Sequence, residues 1–297
     1  MEKLEGIFPP LPTPFDAKGS ILLDKLEQNL GILVDKPVAG IMSPGSFSEA
    51  AYLKYEERLK IWRKCVDVLE TVDKVFIAGT GVETTQESIL LTKEAADIGA
   101  QAALVLPPFY YKPQMNHEVL LRHYADVADS SPIDIILYNV PEFTGLEFQL
   151  ETLLELADHP KIVGIKDSSA NLLRMSCLAA NRPNFKMLCG VGVFLPYLSI
   201  GSKGGIMALS NIAPEPLYQI LEDYLAGRVE KARERQWNLV EINMAITTTY
   251  GVPGLKYAME NLGLYGGVPR RPLLPLSREG RKRIDSLISV SGLKTLN

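Results

Sequence analysis

The sequence is poor in cysteine and histidine, the two residue types that most often carry metal and redox chemistry. Its 297 residues include three cysteines and three histidines. The cysteines, Cys65, Cys177 and Cys189, are odd in number and nowhere form a CxxC pair. This pattern argues against a disulfide framework and favours a reducing compartment. We therefore expect a cytoplasmic protein.

Cofactor motifs are also missing. His117 and His123 are six residues apart, whereas two metal ligands on one helical face are usually four apart. Gly79–Thr80–Gly81 lacks the third glycine of a dinucleotide-binding loop, and no GxxxxGK[ST] motif occurs. The sequence thus predicts neither a metal nor an organic cofactor, and the histidines are expected to be solvated or locally hydrogen-bonded.

Charge and hydropathy argue against two kinds of partner. Lys and Arg total 31 against 35 Asp and Glu, so there is no excess of cations to bind a phosphate backbone. No apolar run approaches the ~20 residues that cross a bilayer. The N-terminal MEKLEGIFPP has acidic residues where a signal peptide has a basic region. Neither a nucleic acid nor a membrane is an expected partner.

What the sequence does contain is a regular alternation of short apolar runs and amphipathic stretches. Eight runs are predicted as strands, most of them apolar on both faces as in buried parallel sheets: Gly6–Phe8, Val38–Met42, Lys74–Ala78, Ala102–Leu106, Asp134–Tyr138, Ile162–Lys166, Lys186–Leu188 and Gly205–Ala208. The stretches between them have helical spacing. This count and length predict an α/β fold, a TIM (β/α)8 barrel. An open doubly wound sheet is the rival, because it uses the same alternation.

The pattern changes after Gly227. Arg228–Thr249, Val252–Leu262 and Ser277–Val290 are predicted as helices, and no further strand follows. We therefore predict two parts. Residues 1–227 form the barrel that carries the active site, and residues 228–297 form a small C-terminal helical domain.

Two predicted strands end in residues that suit carbonyl chemistry. Lys166 and Tyr138 end the sixth and fifth strands, and catalytic groups of this architecture lie at that face of the barrel. Burial there disfavours the ammonium form of a lysine, so its free amine can attack a carbonyl. A neighbouring phenol can carry the protons that imine formation requires. The alternatives are a lysine whose charge reaches solvent and a merely amphipathic tyrosine at the rim.

A third element is the loop Ser43–Glu49, which follows the second strand. Its glycine and serines suit an ordinary turn. They equally suit a nest of backbone N–H groups that holds a carboxylate, with Ser46 as a hydroxyl relay.

With these residues in place, the sequence resembles the dihydrodipicolinate synthase/N-acetylneuraminate lyase family of Schiff-base aldolases. The shared motifs occur in the family order over nearly the whole chain: Leu11–Phe15, Gly45–Glu49, Tyr138–Pro141, Thr144–Gly145, Gly164–Asp167, Gly204–Ile206 and Gly251–Gly263. The resemblance implies a TIM barrel with a C-terminal helical domain, usually assembled as a homotetramer.

The resemblance also implies roles for individual residues. Lys166 would form an imine with a 2-oxo acid, generally pyruvate, and Tyr138 would shuttle protons. Ser46 would connect Tyr138 to a second tyrosine, Tyr110, which in the family reaches into a neighbouring protomer's site. The substrate would be contacted by Gly45, Phe47, Ser168, Gly190 and Ile206, with the N–H groups of Ser46 and Phe47 holding the pyruvyl carboxylate.

Departures from the family pattern bear on the substrate. Phe143 stands where dihydrodipicolinate synthases have an arginine that grips the second substrate's carboxylate. Val191–Val193 stand where sialic acid lyases have acidic residues, and Ala208 replaces a serine. The pattern is closest to 4-hydroxy-2-oxoglutarate aldolases and 2-keto-3-deoxy sugar acid aldolases, which share Lys166–Ser168 and Leu262–Gly267.

The sequence as a whole therefore predicts a class I aldolase that takes pyruvate or another 2-oxo acid plus an aldehyde. It would cleave or form the C3–C4 bond of a 4-hydroxy-2-oxo acid, either 4-hydroxy-2-oxoglutarate or a 2-keto-3-deoxy sugar acid. A dihydrodipicolinate synthase and an aromatic-aldehyde hydratase-aldolase remain alternatives, the second favoured by Phe47 and Phe143. A 2-oxo-acid-binding regulator without activity also remains an alternative, because the loop at Phe47–Ser48 departs from the usual sequence of the family.

Overall fold

Eight parallel strands form one sheet at the centre of the molecule in the computed structural model, which describes residues 4–296. They are β1 (Gly6–Ile7), β2 (Gly40–Ser43), β3 (Val75–Gly79), β4 (Ala102–Val105), β5 (Asp134–Asn139), β6 (Ile162–Asp167), β7 (Lys186–Cys189) and β8 (Gly204–Gly205). From β2 to β8 each strand pairs with the next along the chain, and β8 pairs with β1.

Hydrogen bonds beyond the strand ends close the sheet between β1 and β2. The N–H of Ala39 donates to the carbonyl of Ile7 at 2.8 Å, and that of Met42 donates to Pro9 at 3.0 Å. Leu11 in turn donates to the carbonyl of Met42 at 3.0 Å. The closed ring confirms the TIM barrel and excludes the open doubly wound sheet, which would leave two free edges.

Helices surround the barrel and continue beyond it. They are α1 (Leu23–Val34), α2 (Tyr55–Leu69), α3 (Thr85–Ile98), α4 (His117–Asp129), α5 (Pro141–Thr144), α6 (Leu150–Leu156), α7 (Leu172–Asn181), α8 (Phe194–Ser199), α9 (Pro214–Leu225), α10 (Val229–Met244), α11 (Gly251–Asn261) and α12 (Arg278–Ser291). Local signals set their ends: α3 begins where Thr84 Oγ1 accepts the N–H of Glu87, and it ends at Gly99 with a φ of 112°.

Two cores result from this arrangement. The larger lies between the barrel and its helices. The smaller fills the inside of the barrel with side chains from every second position of the strands, among them Phe8, Met42, Ile136, Tyr138 and Ile206. Tyr138 is thus held by the packed interior of the barrel rather than by a surface loop.

Two sequence-based boundaries were wrong. The eighth strand was predicted over Gly205–Ala208, but β8 stops at Gly205 and a 3-10 helix, Ala208–Asn211, follows. The turn is fixed by Ser210, whose N–H and hydroxyl both donate to the Met207 carbonyl. Periodicity could not show this turn, because Ile206, Met207 and Ala208 continue the apolar run past the end of β8.

The predicted helix Arg228–Thr249 is also not uniform. The α-helix α10 ends at Met244 and continues as a π-helix, Ala245–Thr249. The N–H of Tyr250 accordingly donates to the carbonyl five residues earlier, at Ala245 (2.9 Å). Thr247 Oγ1 donates back to the carbonyl of Asn243 at 2.7 Å, a contact that often bends helices.

The C-terminal helices α10–α12 are attached to the barrel by a buried ion pair. Lys256 Nζ lies 2.6 Å from Glu49 Oε1 and donates to the carbonyls of Thr13 and Val268 at 2.9 and 3.0 Å. Gly227 lies between α9 and α10, and the division of the chain at this residue stays a prediction. Within residues 4–296, no helix is both long and apolar enough to span a bilayer.

Candidate active site

Lys166 and Tyr138 lie side by side at the carboxyl ends of two paired strands. The register of β5 and β6 places Tyr138 opposite Lys166, and Lys166 Nζ lies 4.0 Å from the centroid of the Tyr138 ring. Their exposures are only 4% and 5%. The alternative in which the lysine charge extends into solvent is therefore wrong, and the amine is buried on the face of an aromatic ring.

The loop after β2 supplies a hydroxyl to this pair. Ser46 Oγ lies 3.3 Å from the phenol oxygen of Tyr138, within hydrogen-bonding distance. Ser48 holds the loop in place, because its Oγ accepts the N–H of Gly45 at 2.9 Å and donates to the carbonyl of Leu11 at 2.6 Å. Ser48 thus fixes the loop that carries Ser46.

The same loop presents unpaired backbone donors. Ser46–Ser48 form a 3-10 helix, and the first N–H groups of any helix have no partner within it. Among the described residues, no acceptor is bonded to the N–H of Ser46 or Phe47. Gly79 allows the loop to pack closely on β3, since a Cβ there would lie 1.8 Å from the Pro44 carbonyl oxygen. The two donors are free to donate to a carboxylate, and their contact with one stays a prediction.

A buried carboxylate lies immediately behind the pair, and sequence reasoning missed it. Asp167 accepts hydrogen bonds from Asn139 Nδ2 at 2.6 Å and from the hydroxyl of Tyr197 at 2.5 Å. Burial and the Asp167 charge together raise the pKa of Tyr197, so the phenol stays a donor. Because Asn139 and Asp167 directly follow Tyr138 and Lys166, this link holds the two strand ends in register. The sequence signal that could have identified Asn139 and Asp167 was their position, one residue after each candidate catalytic residue.

A cavity of about 750 Å³ opens at this face of the barrel. Gly45, Ser46, Phe47 and Tyr138 line it, whereas Lys166 is not among the lining residues and lies against the Tyr138 ring. The segment Thr247–Pro253 also lines it, which sequence reasoning did not anticipate. A second cavity of about 790 Å³ lies between residues 16–23 and 268–275 and contains neither strand-end residue. The first cavity is therefore the candidate site.

Tyr110 does not join the other predicted residues within one chain. It lies on the loop after β4 with 75% of its surface exposed, and its ring contacts that of Tyr111 edge-on at 5.1 Å. Its N–H donates to Glu83 at 3.0 Å, which orients the loop. The single chain thus gives Ser46 one tyrosine partner, Tyr138, and the role of Tyr110 stays a prediction.

Three further predicted residues lie near Lys166 but do not line the cavity. Ser168 and Gly190 follow β6 and β7, and a Cβ on Gly190 would lie 2.0 Å from Ser168 Oγ. Ile206 is fully buried in the inner core, and its N–H donates to the Cys189 carbonyl at 2.8 Å. Their contact with a substrate stays a prediction.

The histidines have local partners, as predicted. Nδ1 of His117 lies 2.9 Å from the Thr152 hydroxyl, and Nε2 of His159 lies 3.1 Å from Asp129. His123 is buried 2.9 Å from the Thr85 hydroxyl, and burial lowers its pKa to about 4. Residues 4–296 contain no group of three His, Cys, Asp or Glu side chains arranged to hold a metal ion.

The closed barrel, its C-terminal helices and the strand-end pair define a class, the TIM-barrel enzymes with a buried lysine at the sixth strand. The sequence model of the dihydrodipicolinate synthetase family matches residues 3–291. The chain therefore belongs to that family, and it is a lyase of the aldolase type.

Named relatives and solved structures agree with this assignment. The chain is 35% identical to the 4-hydroxy-tetrahydrodipicolinate synthase of Methanothrix thermoacetophila, over 97% of each chain. It is 36% identical to the enzyme of the same name from Archaeoglobus fulgidus, over 96% of this chain and 97% of the relative. The dihydrodipicolinate synthase DapA-2 of Bacillus anthracis superimposes with a TM-score of 0.91 at 30% identity, covering 96% of this chain and 97% of the other.

Proposed function

We propose that this protein is a class I aldolase in which Lys166 forms a Schiff base with pyruvate or a similar 2-oxo acid. The observation that carries the proposal is the buried Lys166 amine, which lies 4.0 Å from the Tyr138 ring while the Tyr138 hydroxyl meets Ser46 at 3.3 Å. A nucleophilic amine beside a hydroxyl relay is what imine formation requires.

The proposed cleavage begins when Lys166 Nζ attacks the 2-oxo carbon of the substrate. The resulting carbinolamine loses water, and Tyr138 and Ser46 transfer the protons. The N–H groups of Ser46 and Phe47 hold the substrate carboxylate. Loss of the C4 hydroxyl proton to Tyr138 breaks the C3–C4 bond, because the protonated imine accepts the electron pair as an enamine. An aldehyde leaves, and protonation at C3 and hydrolysis release pyruvate and restore the amine.

For the complete substrate, we favour a 4-hydroxy-2-oxo acid of the 4-hydroxy-2-oxoglutarate or 2-keto-3-deoxy sugar acid type. Phe143 lines the cavity and is 51% exposed, so it offers no cation to a second carboxylate. Of the two types it therefore favours the sugar acid, because 4-hydroxy-2-oxoglutarate carries a second carboxylate. The second candidate is 4-hydroxy-tetrahydrodipicolinate synthase, the activity in the names of the archaeal relatives. That candidate would need another group to replace the missing arginine.

Borohydride trapping tests the proposal. Incubation with pyruvate and sodium borohydride should attach one reduced pyruvate to the protein, and peptide mapping should place it on Lys166. The Lys166→Arg variant should give no adduct. An adduct on another lysine, or none in the native protein, would reject the mechanism. Trapping without turnover across a panel of aldehydes would instead support the non-catalytic regulator.

Assembly as a homotetramer in the cytoplasm belongs to the same proposal. The exposed ring of Tyr110 would complete a neighbouring protomer's site, in keeping with the family resemblance. Light scattering should give the mass of four chains, and a monomer that retains full activity would rule this out. The three cysteines are free, and Cys65 and Cys189 are buried, which fits a reducing compartment.

A further inference from the structure

We propose that the aldehyde partner is a short, uncharged hydroxyaldehyde, held by the aromatic rings of Phe47 and Phe143 and by the hydroxyl groups of Thr248 and Thr249. This inference rests on the proposed function and selects one of its two substrate types, the 2-keto-3-deoxy sugar acid, because 4-hydroxy-2-oxoglutarate would release the charged aldehyde glyoxylate. All four side chains line the cavity that reaches Tyr138.

The aromatic part of the cavity consists of two rings from different loops. Phe47 follows β2 and Phe143 follows β5, and their centroids lie 6.4 Å apart with an interplanar angle of 73°. This edge-to-face contact is a favourable geometry for two aromatic rings. Phe143 is 51% exposed, so it retains a surface for the carbon–hydrogen groups of a ligand.

The hydroxyl part comes from the π-helix Ala245–Thr249. Short π segments inside α-helices frequently mark functional sites. Thr247 has its hydroxyl bonded to the Asn243 carbonyl. Thr248 and Thr249 are exposed in the cavity wall, and no residue in the described part of the chain bonds their hydroxyls. Two adjacent hydroxyls beside an apolar surface suit a ligand that has both hydroxyl and carbon–hydrogen groups.

The charges of the cavity wall argue against an aldehyde that carries a carboxylate. Among the described lining residues, Arg58 is the one cation. It is 8% exposed, and its guanidinium already donates to the carbonyls of Ala50 and Gly79. Glu142 lies next to Phe143 and also lines the cavity. A second carboxylate would therefore meet a like charge without a free counterion.

Competing aldehydes test the inference directly. Pyruvate would be supplied with glyceraldehyde, glyoxylate, propanal or benzaldehyde, and kcat/KM measured for each from pyruvate consumption. We expect glyceraldehyde to exceed each of the other three at least tenfold. A preference for glyoxylate would overturn the inference, as would a preference for benzaldehyde or equal rates for glyceraldehyde and propanal.

Variants then test whether Thr248 and Thr249 cause the preference for glyceraldehyde. The double variant Thr248→Val/Thr249→Val should raise KM for glyceraldehyde by about five- to tenfold, because it removes two hydrogen-bonding groups from the aldehyde site. Its KM for propanal should not change. Thr71→Val, on an exposed turn outside the cavity, is the matched control. An unchanged KM for glyceraldehyde in the double variant would overturn the inference.

Borohydride trapping in the same samples separates the two proposals. An adduct on Lys166 without the expected aldehyde preference would overturn this inference and leave the imine mechanism standing. Absence of the adduct would overturn both.

Discussion

At the scale of single residues, a variant that lacks only the Tyr138 hydroxyl can distinguish a role in proton transfer from a role in packing. Tyr138→Phe keeps the ring that lies 4.0 Å from Lys166 Nζ and removes the oxygen that lies 3.3 Å from Ser46 Oγ. We expect kcat for pyruvate release to fall by about 10²-fold or more, the usual effect of losing a general acid or base. Tyr257→Phe, at the exposed contact with Asp285, should behave like the native enzyme. An unaltered kcat in Tyr138→Phe would remove this phenol from the relay.

The residues that the sequence identified are those whose position follows from strand order. Lys166 and Tyr138 each end an apolar run, and parallel strands bring such ends to one face. Thr248 and Thr249 gave no comparable signal, because three threonines at the end of a polar helix look like solvated surface. Their place in the cavity depends on how the C-terminal helices pack, which local pattern does not encode.

At the scale of elements, the contact between α3 and α4 should make stability depend on pH. His123 on α4 is buried 2.9 Å from the hydroxyl of Thr85, the first residue of α3, and its pKa is lowered to about 4. The unfolded chain, with a histidine pKa near 6.5, takes up a proton before the folded chain does. The stabilisation is therefore complete above about pH 6.5 and is lost as the pH falls towards 4, by at most about 3 kcal/mol.

Chemical unfolding at a series of pH values checks this expectation. His123→Gln should reduce the loss of unfolding free energy between about pH 7 and pH 5, since the variant has no histidine to protonate at this contact. His159→Gln, at the half-buried contact with Asp129, should keep the loss. Equal pH dependence in His123→Gln and the native protein would show that His123 does not cause it.

The elements themselves were predictable wherever composition changes at their ends. All eight strands were found, and the capping residues Thr84 and Gly99 mark the two ends of α3. The errors lie where no change of composition marks the end of the element, after β8 and at the π-helix Ala245–Thr249. Hydrogen bonds from Ser210 and Thr247 decide those two places, and periodicity does not register such bonds.

At the scale of the whole molecule, the ion pair of Glu49 and Lys256 joins the loop Ser43–Glu49 to the C-terminal helices. Glu49 ends the loop that carries Ser46, and its Oε2 also accepts the N–H of Arg270 at 2.7 Å. Lys256 is 1% exposed on α11, and burial lowers its pKa against the opposing effect of Glu49. The family motif included both residues, but the sequence gave no reason to pair them, because they are 207 positions apart.

Removing both partners of this pair should lower the free energy of unfolding by less than the sum of the two single removals. Lys256→Met leaves the Glu49 carboxylate buried without its cation, so we expect the free energy of unfolding to fall by about 3–5 kcal/mol. Glu49→Gln should also destabilise the protein, whereas Glu49→Gln/Lys256→Met should be less destabilised than the sum of the two single losses. A double-mutant cycle in urea measures this coupling, and strictly additive losses would contradict it. Because Glu49 also orients the Ser46 loop, Lys256→Met should raise KM for pyruvate in the fraction that remains folded.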